Sequence, residues 1–502
     1  MNSKVGKRMN IKIGLMLLIG LGTINVSAVT LKDVVSDVLD SSPIVNERLK
    51  NYRATQEEIG IAEAGYYPTL DLKSAVGRKE TGRISSDVTE ETYDVFQNSL
   101  VLKQNIFNGF STHEQVNYQK MRTLAAAYSY LEKANDVTLQ TIMVYLEIPK
   151  ANELLKNSET NVQHNEAIYQ KVLKAYKAGV TTMSEVSKIQ ASLSLARSNN
   201  MVQKSRLRNA HYNFRRVVGR LVSLKDLEKV NFGLKIPENQ EKAEMYALEY
   251  NPSILVGDYN IKGAEALYRE SKSAFFPQVD LEVSQNYNDN YNELTGKDDR
   301  FQAMVVVSYN LFNGGADEAA RKNKLSKLSQ EVSVVNDLRR QVIEGVDLSW
   351  SSYVLAQDQI PFLNEYQKQS IETLHFYTKE YKLGERSMLD LISAENDLKR
   401  ANDELISAKY NLLLSKYKIL DSMGLTMASI MGGEEEYYSR VGIFTGNTSV
   451  NEDSTYDELV RAMEKDSLPV NREMDGDRIP DSKDVSPNTK DKTKVSPSGR
   501  SN

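Results

Sequence analysis

Two hydrophobic periods alternate along this chain, and each occurs twice. Leu70, Leu72, Ser74 and Val76 alternate with Asp71, Lys73 and Ala75, and Val279, Leu281 and Val283 alternate with Asp280, Glu282 and Ser284. A period of two is that of a strand with one wet face. After a polar stretch, 82–94 in one half and 286–300 in the other, a second strand is predicted over 98–107 and 302–312. Each half thus carries one β-hairpin, about 69–107 and about 278–312, with strands of about ten residues, the length that crosses a bilayer when tilted.

Beyond each hairpin the period becomes helical for about 70 residues, to Gly179 and Gly384, and at 1.5 Å per residue that predicts a helix about 100 Å long. Pro149 and Pro361 mark expected kinks or short breaks. A second helix is predicted to return over 183–218 and 388–423. Its heptads are plain in the second half, where Leu391, Leu398, Leu405, Leu412 and Ile419 are followed three residues later by Ala394, Ala401, Ala408 and Ser415. This is a coiled-coil seam whose small residues permit close helix approach. Val186, Leu193, Leu207 and Phe214 keep the same register in the first half, with Asn200 as the exception. Before each hairpin lies a shorter helical segment, 31–65 and 241–274, ending at Tyr66-Tyr67-Pro68 and Phe275-Phe276-Pro277. Proline drives its predecessor out of the α region, and paired aromatics suit a membrane interface.

The halves are copies. Pro43, Pro68 and Asp71-Leu72 recur 209 residues later as Pro252, Pro277 and Asp280-Leu281, whereas Phe107-Asn108-Gly109, Tyr176, Gly179, Met183, Tyr212 and Gly219 recur 205 residues later. One four-residue length difference, inside the hairpin, accounts for both offsets. The expected organisation is 1–28 signal peptide, 29–219 first repeat, 220–240 linker, 241–424 second repeat and 425–502 a mostly disordered polar tail.

Composition narrows the compartment. Lys4, Lys7, Arg8 and Lys12 precede the apolar run 13–24, and Val26-Ser27-Ala28 then suits signal-peptidase cleavage; an uncleaved N-terminal anchor is the alternative. No cysteine is present, which removes disulfides, thiolate metal sites and a lipidated N-terminal cysteine. The net charge of −5 is mild and does not resemble that of a nucleic-acid binder. After the signal no apolar run reaches the roughly 20 residues of a membrane helix, so any spanning segment must be β. Four strands cannot close a barrel, and an open edge in lipid leaves unpaired backbone groups. Two copies would make an eight-stranded barrel filled by side chains; three would enclose a lumen.

The repeated hairpin, the Phe-Asn-Gly exits and the matched turns Tyr176-Lys177-Ala178-Gly179 and Tyr381-Lys382-Leu383-Gly384 resemble the TolC family of outer-membrane channels, over nearly all of 31–424. The resemblance implies a mainly α fold with a small β-barrel contribution: a homotrimer whose transmembrane barrel, in outer-membrane lipid, continues into a periplasmic helical barrel. It also implies an exit duct for drugs or proteins, served by a periplasmic adaptor and an inner-membrane transporter. Through the same resemblance Tyr381 and Arg386 are latch residues at the periplasmic tip, Glu185 is a carboxylate partner for one of them, and Asp390 forms a threefold acidic ring that would attract cations. Mutual repulsion in such a ring would raise some carboxyl pKa values. Ser393 stands where the family places a second acidic ring, and Glu395 is not at the right spacing to replace it. A secreted or periplasmic coiled coil without a pore, its hairpins acting as docking ribbons, is the competing reading.

Little points to other chemistry. His113, His164, His211 and His375 lack metal-ligand spacing, no catalytic or phosphate-binding motif stands out, and Trp350 is expected to pack inside a helix bundle. No cofactor is implied. In the tail, Asp475, Asp477, Asp481 and Asp484 resemble one thrombospondin type 3 calcium repeat, although Glu473 replaces its first aspartate and Arg478 one of its glycines.

Overall fold

A computed structural model describes residues 29–81, 91–290 and 296–432. The expected signal peptide and the calcium-ligand candidates Asp475, Asp477, Asp481 and Asp484 lie outside these residues. In chain order the elements are α1 (Leu31–Ser41), α2 (Pro43–Glu63), β1 (Thr69–Thr81), β2 (Glu91–Phe107), α3 (Ser111–Lys177), α4 (Met183–Val218), α5 (Gln240–Tyr250), α6 (Pro252–Glu270), β3 (Gln278–Asp289), β4 (Lys297–Ser308), α7 (Ala316–Leu383), α8 (Met388–Ser422) and α9 (Thr426–Met431). The fold is mainly α with one small antiparallel sheet. None of the described helices is long and apolar enough to cross a membrane.

Prolines depart from the expectation at two places in each repeat. The segments before the hairpins are split, because Pro43 and Pro252 each open a new helix at its first position, where no amide donor is needed. Pro149 and Pro361 break nothing: α3 runs for 67 residues and α7 for 68 through them. Each helix continues across the one missing backbone bond.

The hairpins pair as β1-β2-β3-β4, every neighbour antiparallel. Their limits differ from the predicted ones. β2 begins at Glu91 because the polar residues before Asn98 continue the ladder opposite 75–81. β4 stops at Ser308, which pairs with Gln278, the first residue of β3; beyond it Tyr309 to Phe312 have no partner strand within the chain. A Phe107, Phe110 and Phe276 triad, with edge-to-face centroids 5.4–6.4 Å apart, joins the sheet to the helices.

Side by side, α4 packs on α3, α3 on α8, and α8 on α7. The helical layer therefore runs α4-α3-α8-α7, with α4 and α7 at its edges. Three apolar clusters hold it. One gathers α1, α2, α3, the end of α4, α6 and α9; a second gathers α3, α5, α7 and α8, with Trp350 and Tyr353 packed against it; a third lies at the far tip. The predicted seam is buried at Leu391, Ala394, Ala401, Leu405, Ala408, Ser415 and Ile419. Its counterpart in α4 buries Asn200, whose Nδ2 has no hydrogen-bond partner.

Beyond Gly424, where the pattern placed the start of the tail, α9 is a packed helix. Met427 N–H donates to Asn135 Oδ1 at 2.8 Å, and Asn135 Nδ2 donates to Gly424 O at 2.9 Å. Nearby, burial and the Asp136 carboxylate push the Asp421 carboxyl up to about 7, against the lowering effects of the Thr426 hydroxyl and Lys418. Asp421 also sits in the last turn of α8, where helix-end carbonyls disfavour a negative charge. Between its ordinary value near 3.8 and about 7 the folded state binds the extra proton, so stability falls as pH rises through that window and stays lower above it. Asp421→Asn is expected to raise stability at pH 8 by on the order of 2 kcal/mol and to leave it unchanged near pH 4. Thermal midpoints of wild type and variant across that range read the difference directly.

Candidate functional site: the helix tip

At the far end of the helices the turns α3–α4 and α7–α8 lie side by side over the third apolar cluster. Ile168 and Val172 come from α3, Val186 and Ile189 from α4, and Met388, Leu391 and Ile392 from α8; Tyr377 and Tyr381 of α7 pack against them. The turns are built by capping. Gly384 ends α7, its N–H and that of Glu385 bonding back to Tyr381 O and Glu380 O. Ser387 and Asp390 form a capping box that starts α8, and Thr182 caps α4 by accepting from Glu185 N–H.

Arg386 is exposed and doubly held. Its Nε donates to Glu380 Oε2 at 2.7 Å, and its guanidinium lies 4.3 Å from the centre of the Tyr377 ring. The Glu380 hydrogen bond raises the Arg386 pKa further, so the residue is cationic at every pH of interest. Asp390 Oδ2 accepts from Ser387 Oγ at 2.8 Å and from Ser387 N at 3.1 Å. These bonds, with a smaller effect of Arg386, hold the Asp390 carboxyl below the usual range and keep it ionised.

Within one chain the expected pairing of Glu185 with Tyr381 or Arg386 is not made. Glu185 accepts from the Thr181 hydroxyl instead, and Arg386 uses Glu380 of its own helix. Glu380 was missed in the sequence because it lies in the last turn of α7, six residues before the arginine; only the reversal of the chain at Gly384 brings the two together. Ser393 is exposed, and Glu395 is occupied by His164, whose Nδ1 lies 2.8 Å from its Oε2. That contact belongs to a polar belt between α3 and α8, in which Asn157 Nδ2 donates to Asp403 Oδ1 at 2.7 Å and Tyr410 OH to Glu153 Oε1 at 2.8 Å. Among the described residues no group of three or more metal-ligating side chains converges.

The chain matches the family described as outer membrane efflux protein over residues 34–220 and 246–425. It belongs to that family. The outer membrane efflux protein BepC of Brucella suis is 23% identical over 411 residues, covering 79% of this chain and 87% of the relative. The outer membrane protein TolC of Escherichia coli is also 23% identical, over 437 residues, covering 81% and 85%. Among solved structures, the Campylobacter jejuni CmeC outer membrane channel superposes with a TM-score of 0.70 at 14% identity, over 79% of this chain and 86% of that one. Family membership overturns the pore-free coiled-coil reading. This efflux-family chain is an outer-membrane channel component of an efflux or secretion system, a conduit rather than an enzyme, with its helices extending through the periplasm.

Proposed function

We propose that three copies of this chain close into one tube that serves as the exit duct of a tripartite efflux pump or type I secretion system, docked to a periplasmic adaptor and an inner-membrane transporter. The observation that carries the reading is the open sheet. Four strands end in unpaired edges at β1 and β4, and their exposed faces carry Leu70, Leu72 and Val76 on one edge and Val305 and Val307 on the other. Such edges are costly in lipid unless another copy pairs with them, and three sheets of four strands leave a lumen where two would not.

In this reading the tip is the gate. Glu185 opens α4 at the height where Tyr381 ends α7, and both helices are edges of the layer, so Glu185 of one copy meets the α7–α8 turn of the next. Arg386, tied to Glu380 and Tyr377, holds that turn closed. Asp390 keeps its second carboxylate oxygen free of the capping box, and three such carboxylates around the axis would favour cations. Full-length protein in detergent is expected to sediment as a trimer and to conduct ions in a planar bilayer, with cation preference. A monomer that conducts nothing would sink the proposal.

A further inference from the structure

Charge is distributed unevenly between the two edges of the helical layer. From 186 to 225, α4 and the residues after it contain nine lysines and arginines and no aspartate or glutamate. Arg197, Lys204 and Arg220 find carboxylates in the chain, on Glu166, Glu159 and Asp37. Arg206, Arg208, Arg215 and Arg216 are exposed and make no ion pair among the described residues. On the opposite edge, α7 has four acids and no lysine or arginine from 341 to 367. Leu348, Leu355 and Phe362 recur there every seven residues yet are 62%, 60% and 77% exposed, a coiled-coil seam lacking its second helix. Asp358 and Glu365 each lie three residues after an apolar seam position and are also exposed.

The heights correspond. Ser192 of α4 bonds Asn165 of α3, Asn157 of α3 bonds Asp403 of α8, and Gln367 of α7 bonds Asn402 of α8. Carried across the layer, these contacts put Arg208 level with Asp358 to within about one helical turn, roughly 5 Å. In one chain α3 and α8 stand between the two residues, so they can meet only across a boundary between copies.

We propose that the cationic edge of α4 docks on the acidic, leucine-lined edge of α7 of a second copy, with Arg208 beside Asp358. The proposal rests on the trimer reading and specifies the seam that makes it. Opposite charges on opposite edges make the contact head-to-tail, and like edges repel, which excludes a symmetric two-copy pairing of either edge with itself.

Charge exchange in the full-length protein tests the seam. At low salt, Arg208→Glu and Asp358→Arg are each expected to raise the trimer dissociation constant roughly tenfold, and the double exchange to return it to within about threefold of wild type. Single variants without effect, or a double exchange that restores nothing, would overturn the seam while a wild-type trimer still supports the reading beneath it. A monomeric wild type would remove that reading instead. The chain has no cysteine, so Arg208→Cys with Asp358→Cys introduces its only thiols. A short bismaleimide should link neighbouring chains through them, and should not do so for Arg208→Cys with Glu344→Cys, about 20 Å out of register. A trimer in which the thiol from Arg208→Cys stays open to a soluble maleimide would mean that the basic stripe faces solvent or a different acidic partner, and would overturn the proposal.

Discussion

Arg386→Ser is expected to raise the closed-state conductance of the reconstituted channel roughly tenfold, because a small bias in each of several copies multiplies in the population of the open state. The side chain links three parts of the tip: the turn after Gly384, the Glu380 carboxylate at 2.7 Å, and the Tyr377 ring, which itself packs on the apolar cluster shared by α3, α4 and α8. Serine keeps none of these links. Arg386→Lys should give an intermediate conductance, since an ammonium keeps the charge but not the flat guanidinium that stacks on the ring. The Arg386–Glu380 pair is exposed and therefore screened by salt, so wild-type conductance normalised to that of the bulk electrolyte should rise with ionic strength while that of Arg386→Ser changes little. Tyr381→Ala should open the tip by a different route, by thinning the apolar cluster. If neither Arg386→Ser nor Tyr381→Ala alters conductance, the turn is not the gate.

Gly424→Ala is expected to cost about 3 kcal/mol and Gly219→Ala about 1 kcal/mol, although the two glycines occupy the same position in the two repeats. Both adopt left-handed conformations, φ +75° and +81°, so each carries the penalty of a side chain there. Only Gly424 is also crowded. A Cβ on it would run into Pro252 Cδ and lie 2.9 Å from Asn251 Cα, and neither a proline ring nor backbone can turn aside; nothing lies within 4 Å of the same atom on Gly219. Displacing Gly424 would also pull its carbonyl from Asn135 Nδ2 and loosen α9, whose Met427 amide the same asparagine holds. Thermal denaturation of the detergent-solubilised variants should show the larger loss for Gly424→Ala. Equal losses would mean that the contact with Pro252 yields.

Much of this was legible in the residue order. Heptads at Leu391, Leu405 and Ile419 predicted a buried seam, and the alternation at Leu70, Leu72 and Val76 predicted strands, because helix and strand each give one face a fixed repeat. Pro43 and Pro252 follow Ser42 and Asn251, residues that cap helix starts, whereas Pro149 follows Ile148, so the local signal separates a proline that opens a helix from one that sits inside it. Other limits of elements were less legible. β4 ends at Ser308 although Tyr309, Leu311 and Phe312 continue an apolar pattern, because β3 supplies no further partner. At the tip, Arg386 could be singled out in the sequence, but its partner Glu380 could not, since a turn of unknown geometry separates them. The single asparagine in the α4 heptad series, Asn200, could be seen; that its Nδ2 is buried without a hydrogen-bond partner could not.

By itself the sequence determined the duplication, the two hairpins, the length of the helices and, among the described residues, the absence of a membrane-spanning helix, since each follows from periodicity and composition over many residues. Tertiary structure alone decided the lateral order α4-α3-α8-α7, and with it which charges stand on which edge. It also decided that one of two repeated glycines is locked against a proline while the other faces open space. Those facts depend on contacts between segments far apart in the chain. Two copies of one pattern carry no local mark of which neighbour each will meet.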